Sequence, residues 1–250
     1  MKVAIIAPES GLLLSTGFHM CLAQEYMKRS VYKAFYHTQI SIVGDPVILD
    51  NGAFENETVP LVEYFEIAQE LKPTYCILPD KRFDCNETLK MVREALPLFE
   101  TLGCSLLAVP QGNDLESILK CYNELLTIPA IDGFALYEEI GEVAGVGTRY
   151  DFCKLMEDRN LVQKDLYYHA LGGEENIGVT RKLCEFKWLK SIDTAKPIVY
   201  GQSDMSIKDA SNFTKYPHRP IDYFDIDVVT ISSIINVKLF RDWVGDVLDV

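Results

Sequence analysis

No stretch of this 250-residue chain approaches the roughly 18 consecutive apolar residues of a membrane-spanning helix, so no such span is expected. The opening MKVAIIAPES carries one Lys and a short apolar run stopped by Pro8 and Glu9, which reads as a buried strand and not as a secretion signal. Cysteine pairs are missing as well. The seven cysteines, at 21, 76, 85, 104, 121, 153 and 184, make neither CxxC nor CxC spacing, which argues against a zinc knuckle and gives no disulfide framework. Most lie in apolar runs such as YCILP and GCSLLAVP, where cysteine acts as a small hydrophobe, and a reducing cytoplasm is the expected setting. Positive charge is scarce: 24 Lys and Arg stand against 37 Asp and Glu, for a net charge of −13. That argues against a protein that coats nucleic acid non-specifically, because such binding rests on neutralising phosphates. Only a local basic patch is compatible with it, drawn from KRF at 81–83, Arg149 or the run from Lys182 to Lys196. GVGTR at 145–149 has no Walker lysine and lacks GxGxxG spacing, so it reads as a βα loop whose Arg149 could touch a backbone phosphate.

What remains is an ordinary globular composition, 48% hydrophobic and 24% charged, with no repeat, low-complexity block or Gly/Ser linker to divide it. Short apolar runs predict strands at 3–8, 46–50, 74–80, 104–111, 131–138, 165–172 and 187–193. Between them, apolar residues at three- and four-residue spacings predict helices over 59–72, 86–103, 114–126 and 149–161, with Asn86 and Asn113 or Asp114 at capping positions. Alternating strands and helices imply βαβ units and a parallel sheet. After Pro197 the pattern weakens. IVYG has the composition of a further strand, about 227–248 reads as one closing helix, and no segment is assigned as the eighth strand.

The strands end on polar or turn-forming residues: Asp50, Asp80, Gln111, Glu138, Gly172 and Asp193 recur about once every 30 residues, the length of one βα unit. In an open doubly wound sheet, ligands gather only near a switch point. In a (β/α)₈ TIM barrel every strand's carboxyl end meets on one face. A single barrel domain spanning 1–250, irregular towards its C-terminal end, is therefore predicted. Asp50 and Asp193 are the best-framed pair of carboxylates, the minimum equipment for glycosidic-bond chemistry, in which one attacks the anomeric carbon and the other moves protons. An Asx-turn or helix cap is the competing explanation for any one Asp taken alone. His169 reads as a strand-end histidine satisfied by backbone, and His19 as a residue at the site mouth or at a helix start.

The strand ends also resemble a known family. LDNGAFE (49–55) is similar to the DSGGFQ signature of the tRNA-guanine transglycosylases, which exchange guanine for a 7-deazaguanine base. In order follow LPD (78–80), VPQG (109–112), DGFALYEE (132–139), HALGG (169–173) and IDTAKP (192–197), similar to a strand-end Asp, VQG, GGLAVGE, LMGVG and FDCVLP. The likeness covers roughly residues 47–200 and is greatest to the short phage-type relatives that place 7-deazaguanines in DNA.

The resemblance implies a TIM barrel acting by base exchange, with no cofactor. Asp193 would be the nucleophile that holds a covalent glycosyl-enzyme, and Asp50 the general acid/base. Phe54 would stack on the base, Asp80 and Gln111 would read its hydrogen-bonding edge, and the backbone around Gly133, Phe134 and Gly172 would complete the pocket. Arg149 and Lys196 are candidates for weak nucleic-acid contact. The implied substrates are a 7-deazaguanine such as 7-cyano-7-deazaguanine and DNA, favoured over tRNA, with a partner protein as a further source of nucleic-acid contact. There are departures: Asn51 for Ser, Ala53 for Gly, Glu55 for Gln, and Tyr137 in place of a small residue. The family's CxCxxC-plus-His zinc site, which supports tRNA docking, has no counterpart, so no metal and no zinc subdomain are expected. The alternatives are a non-catalytic relative that binds the base or a partner, and an unrelated barrel glycosidase using the same two carboxylates.

Overall fold

A computed structural model describes residues 1–53, 58–174, 176–212 and 215–246. Its strands are β1 (Lys2–Ile5), β2 (His19–Leu22), β3 (Val47–Asp50), β4 (Tyr75–Ile77), β5 (Ser105–Ala108), β6 (Ile131–Tyr137), β7 (Tyr167–Leu171) and β8 (Leu189–Thr194). They pair in parallel in the order β1-β8-β7-β6-β5-β4-β3-β2, with β1 and β2 brought side by side. The chain is thus a (β/α)₈ TIM barrel with an irregular seam.

Helices follow the strands. After β2 come α1 (Ala23–Lys28) and α2 (Ser30–Thr38), then α3 (Leu61–Leu71) after β3 and α4 (Cys85–Phe99) after β4. Next are α5 (Leu115–Leu126) after β5, and α6 (Ile140–Val143) and α7 (Arg149–Asp158) after β6. Finally α8 (Ile177–Leu183) follows β7, α9 (Lys196–Gln202) follows β8, and α10 (Ile231–Val244) packs on α9 and β1. Each helix turns its apolar stripe inward, as Tyr64, Ile67, Ala68 and Leu71 do on α3. The capping residue of α4 is Asp84, whose carboxylate accepts the Glu87 N–H, and not Asn86. Asp114 caps α5 with a reciprocal bond from Ser117.

Three expectations are corrected. The eighth strand is HMCL, here β2: four fully buried residues whose short apolar run carries too little periodicity to separate strand from helix start. IVYG lies in α9, because Pro197 in the first turn fixes a helical φ with no hydrogen bond lost. The closing helix is shorter than 227–248: Thr230 caps its start through the Ser233 N–H, and Gly245 ends it in the left-handed region at φ 70°.

Only a 3₁₀ segment, Glu9–Leu14, joins β1 to β2, so no helix covers that crossover, and the two strands are the ends of the hydrogen-bonded order. Their facing backbone groups are met by side chains instead. Val3 N–H donates to Asp246 Oδ2 (3.2 Å); just beyond β1, the Tyr223 hydroxyl donates to Ile6 O (2.7 Å). From α2, Tyr36 donates to Met20 O (2.6 Å), while the Tyr32 hydroxyl accepts the Leu22 N–H (3.0 Å). Arg241 of α10 is paired with Asp246 and donates to Thr16 O (2.9 Å), reaching the β2 side. Burial pulls the Arg241 guanidinium below its ordinary pKa, with Asp246 opposing that effect. Since both charges are buried, removing one partner strands the other. Asp246→Ala is expected to lose about 3 kcal/mol of stability in urea unfolding, and a second change, Arg241→Met, to recover much of it.

Candidate active site

Because all eight strands run the same way, their carboxyl ends open onto one cavity of about 750 Å³. Asp50, Asp80, Gln111, Gly172, Asp193 and Lys196 all line it. Phe54 lies outside the described residues. Gly133 and Phe134 are elsewhere. β6 runs on for four residues past Gly133, whose register partner is Tyr167 at the start of β7. A Cβ there would meet Tyr167 O at 2.1 Å, so glycine allows the two strands to approach. Phe134 is fully buried against Tyr122, with ring centroids 4.5 Å apart. The β6 residues that reach the cavity are Tyr137 and, just beyond the strand, Glu138.

Arg149 is corrected too: it is fully buried and does not reach outward to a phosphate. Its Nε donates to Glu174 Oε1 (2.9 Å), its Nη1 to Leu136 O and Leu171 O (each 2.8 Å), and its Nη2 to Gly172 O (2.5 Å). A guanidinium with donors in a rigid fork thus binds the carbonyl ends of β6 and β7 together.

Two networks organise the wall. In the first, Asn51 donates to Leu78 O (3.1 Å) and to Asp80 Oδ1 (3.0 Å), while its own Oδ1 accepts the Ala53 N–H (2.8 Å). Gln111 Nε2 donates to Asp80 Oδ2 (2.7 Å), and Gln111 Oε1 accepts the Phe83 N–H (3.0 Å). Burial raises the Asp80 pKa, and the Asn51 and Gln111 amides work against that rise by favouring the carboxylate. Asp50 Oδ2 accepts the Gly52 N–H (3.1 Å), so it makes its turn and also lines the cavity.

The second network holds Asp193, which is only 3% exposed. Its Oδ1 accepts from His169 Nε2 (2.9 Å) and from the Gly172 N–H (2.8 Å), and Oδ2 takes part in neither bond. Gly172 sits at φ 78°, a backbone conformation that glycine adopts without a Cβ penalty. His169 Nδ1 lies 2.8 Å from Ser191 Oγ, which accepts from the Tyr167 hydroxyl (2.7 Å). His169 is therefore satisfied by side chains and not by backbone. Its period-two relation to Leu171, and that of Ser191 to Asp193, was available in the sequence as a sign that both face the barrel interior. His19, by contrast, is a buried β2 residue bonded to Ser15 (3.1 Å) and Asp45 (3.1 Å), at the strand end away from the cavity.

Glu138 was read from sequence only as a polar strand end. Burial lifts its carboxyl to about 7, opposed by Lys196 and Arg149, so near neutral pH it can both give and take a proton. Arg82 pairs with Glu139 at the same wall (2.8 Å). Among the described residues, no group of three or more His, Cys, Asp or Glu is placed to hold a metal ion. No helix there is long and apolar enough to cross a membrane.

No protein-family model matches the chain, and no curated protein matches it.

The Glu138 shift has a measurable sign. The unfolded carboxyl releases its proton near 4.5 and the folded one at about 7, so the folded chain binds more protons across that window. Stability therefore falls as pH rises through it. Relative to the unmodified protein, Glu138→Gln is expected to gain thermal stability progressively from pH 4.5 to 7, followed by Tm at a series of pH values.

Proposed function

We propose that this protein is a base-exchange transglycosylase that replaces guanine in a nucleic acid, DNA favoured over tRNA, with a 7-deazaguanine such as 7-cyano-7-deazaguanine. The observation that carries the reading is the pairing of two opposed features on one cavity. Among the described residues, Asp193 presents a carboxylate gripped through Oδ1 alone. Across the barrel, Asp80 beyond β4 and Gln111 beyond β5, four and three strands from β8 in the sheet order, form a carboxylate–amide array. The first suits attack on a sugar carbon. The second suits the N–H and amino edge of a guanine-like base, since an ionised carboxylate has about four lone-pair sites and two are in use.

In the proposed reaction, Asp193 attacks C1′ and forms a C1′–O bond as the C1′–N bond to guanine breaks. The electron pair leaves on the base, which takes a proton from Asp50. The incoming base then returns a proton to Asp50 and attacks C1′, releasing the Asp193 carboxylate. To expose C1′ the target nucleotide must leave its stack. Lys196, Arg82 and Arg219 all line the cavity and supply local positive charge on an otherwise acidic chain. The preference for DNA rests on the absence from the sequence of the zinc-ligand pattern that supports tRNA docking in the resembled family.

The test is incubation of folded protein with labelled 7-deazaguanine and either DNA or tRNA. Incorporation into DNA is the expected result; label in neither polymer sinks the reading. Release of guanine without exchange would instead favour a two-carboxylate hydrolase. Asp193→Asn is expected to abolish a denaturant-stable adduct while leaving base affinity within about threefold, since an amide of the same shape removes the nucleophile and little else.

A further inference from the structure

Tyr167, Ser191, His169 and Asp193 form one continuous chain in the barrel interior, with links of 2.7, 2.8 and 2.9 Å. Ser, His and Asp in sequence contact are the parts of an acyl-transfer triad. The accessibility is the reverse of that arrangement. Ser191 and His169 are each 0% exposed and absent from the cavity lining, whereas Asp193 lines it. Ser191 is therefore the buried end, and the carboxylate is the working end.

Donor and acceptor counting sets the direction of every bond. An ionised Asp193 can only accept, so His169 Nε2 carries the hydrogen. In a neutral imidazole Nδ1 is then an acceptor and takes the Ser191 hydroxyl hydrogen. Ser191 Oγ accepts in turn from Tyr167, whose ring stacks on Tyr75 of β4 with centroids 4.5 Å apart and planes 29° apart. The chain is satisfied in one direction and is anchored by rings from two walls of the barrel.

We infer that His169 is a positioning residue, held as the Nε2–H tautomer between the Asp193 carboxylate and the Ser191–Tyr167 hydroxyls, that selects Oδ2 of Asp193 as the attacking oxygen. The inference rests on the reading of Asp193 as the nucleophile. With His169 Nε2–H and the Gly172 N–H both on Oδ1, that oxygen has the smaller freedom to turn towards the sugar. When Oδ2 bonds to C1′, Oδ1 becomes the ester carbonyl oxygen and keeps both donors, so no regrouping of hydrogen bonds accompanies the step.

The test combines a spectroscopic and a kinetic readout on the full chain. Imidazole ¹⁵N NMR is expected to give the Nε2–H tautomer for His169, and Ser191→Ala or Tyr167→Phe to increase the Nδ1–H form. Adduct formation should slow roughly 10- to 100-fold in His169→Leu, the cost typical of losing an orienting partner, with KM little changed. His169→Gln, whose side-chain N–H can meet the same oxygen, should recover most of the rate. A wild-type Nδ1–H tautomer, or one indifferent to Ser191→Ala, overturns the inference even if His169→Leu fails to fold. So does a His169→Gln variant no faster than His169→Leu. The tautomer is measured without substrate, so a locked Nε2–H form in a protein that forms no adduct supports the locking and removes base exchange alone.

Discussion

Closing a cylinder of parallel strands without leaving backbone groups bare is the constraint on which this molecule depends. Seven junctions meet it by strand pairing. The eighth, between β1 and β2, meets it with side chains: Tyr32 and Tyr36 on one edge, Asp246 on the other. A buried unpaired N–H or carbonyl costs about 1–3 kcal/mol, so three such groups left open would consume much of a domain's net stability. Closure is also what makes the cavity, because only a completed ring brings β3 and β8 ends to the same mouth.

Burial at that mouth is dominated by acids. Seven carboxyl-bearing side chains line the cavity: Asp50, Asp80, Glu138, Glu139, Glu142, Glu174 and Asp193. They are kept apart by distinct partners. Amides hold Asp80, an imidazole and a backbone N–H hold Asp193, guanidinium groups hold Glu139 and Glu174, and Glu138 yields by holding its proton up to about 7. Environments that pull similar groups in different directions are how one site divides nucleophile from proton carrier.

Much of this was legible in the sequence. Helix periodicity and polar strand ends about 30 residues apart were enough to predict the barrel and to place Asp50, Asp80, Gln111, Glu138, Gly172 and Asp193 around one cavity. The failures have physical causes. β2 was missed because four buried residues carry no usable period, and IVYG was misread because Pro197 starts a helix that composition alone does not reveal. Gly133 and Phe134 were misplaced because likeness of motif does not fix where along a strand the motif sits; β6 carries them well below the mouth. Arg149 looked like a surface cation because its carbonyl partners Leu136, Leu171 and Gly172 come from two other strands' ends and are invisible to local pattern. His169 suffered in the same way, its partner being 24 residues on.

The seam has a bearing on how the barrel is assembled in time. From β3 to β8 each strand can pair with the one before it as the chain lengthens. β1 cannot, since its sheet partner is β8, and its Val3 N–H waits for a residue 243 positions away. At synthesis rates of about 5–20 residues per second, the apolar VAIIAP segment spends on the order of ten seconds or more without its partner. The earliest strand of the barrel is the last to be seated, and the interval in which it waits is the one in which a chaperone or a neighbouring nascent chain has most to gain from it.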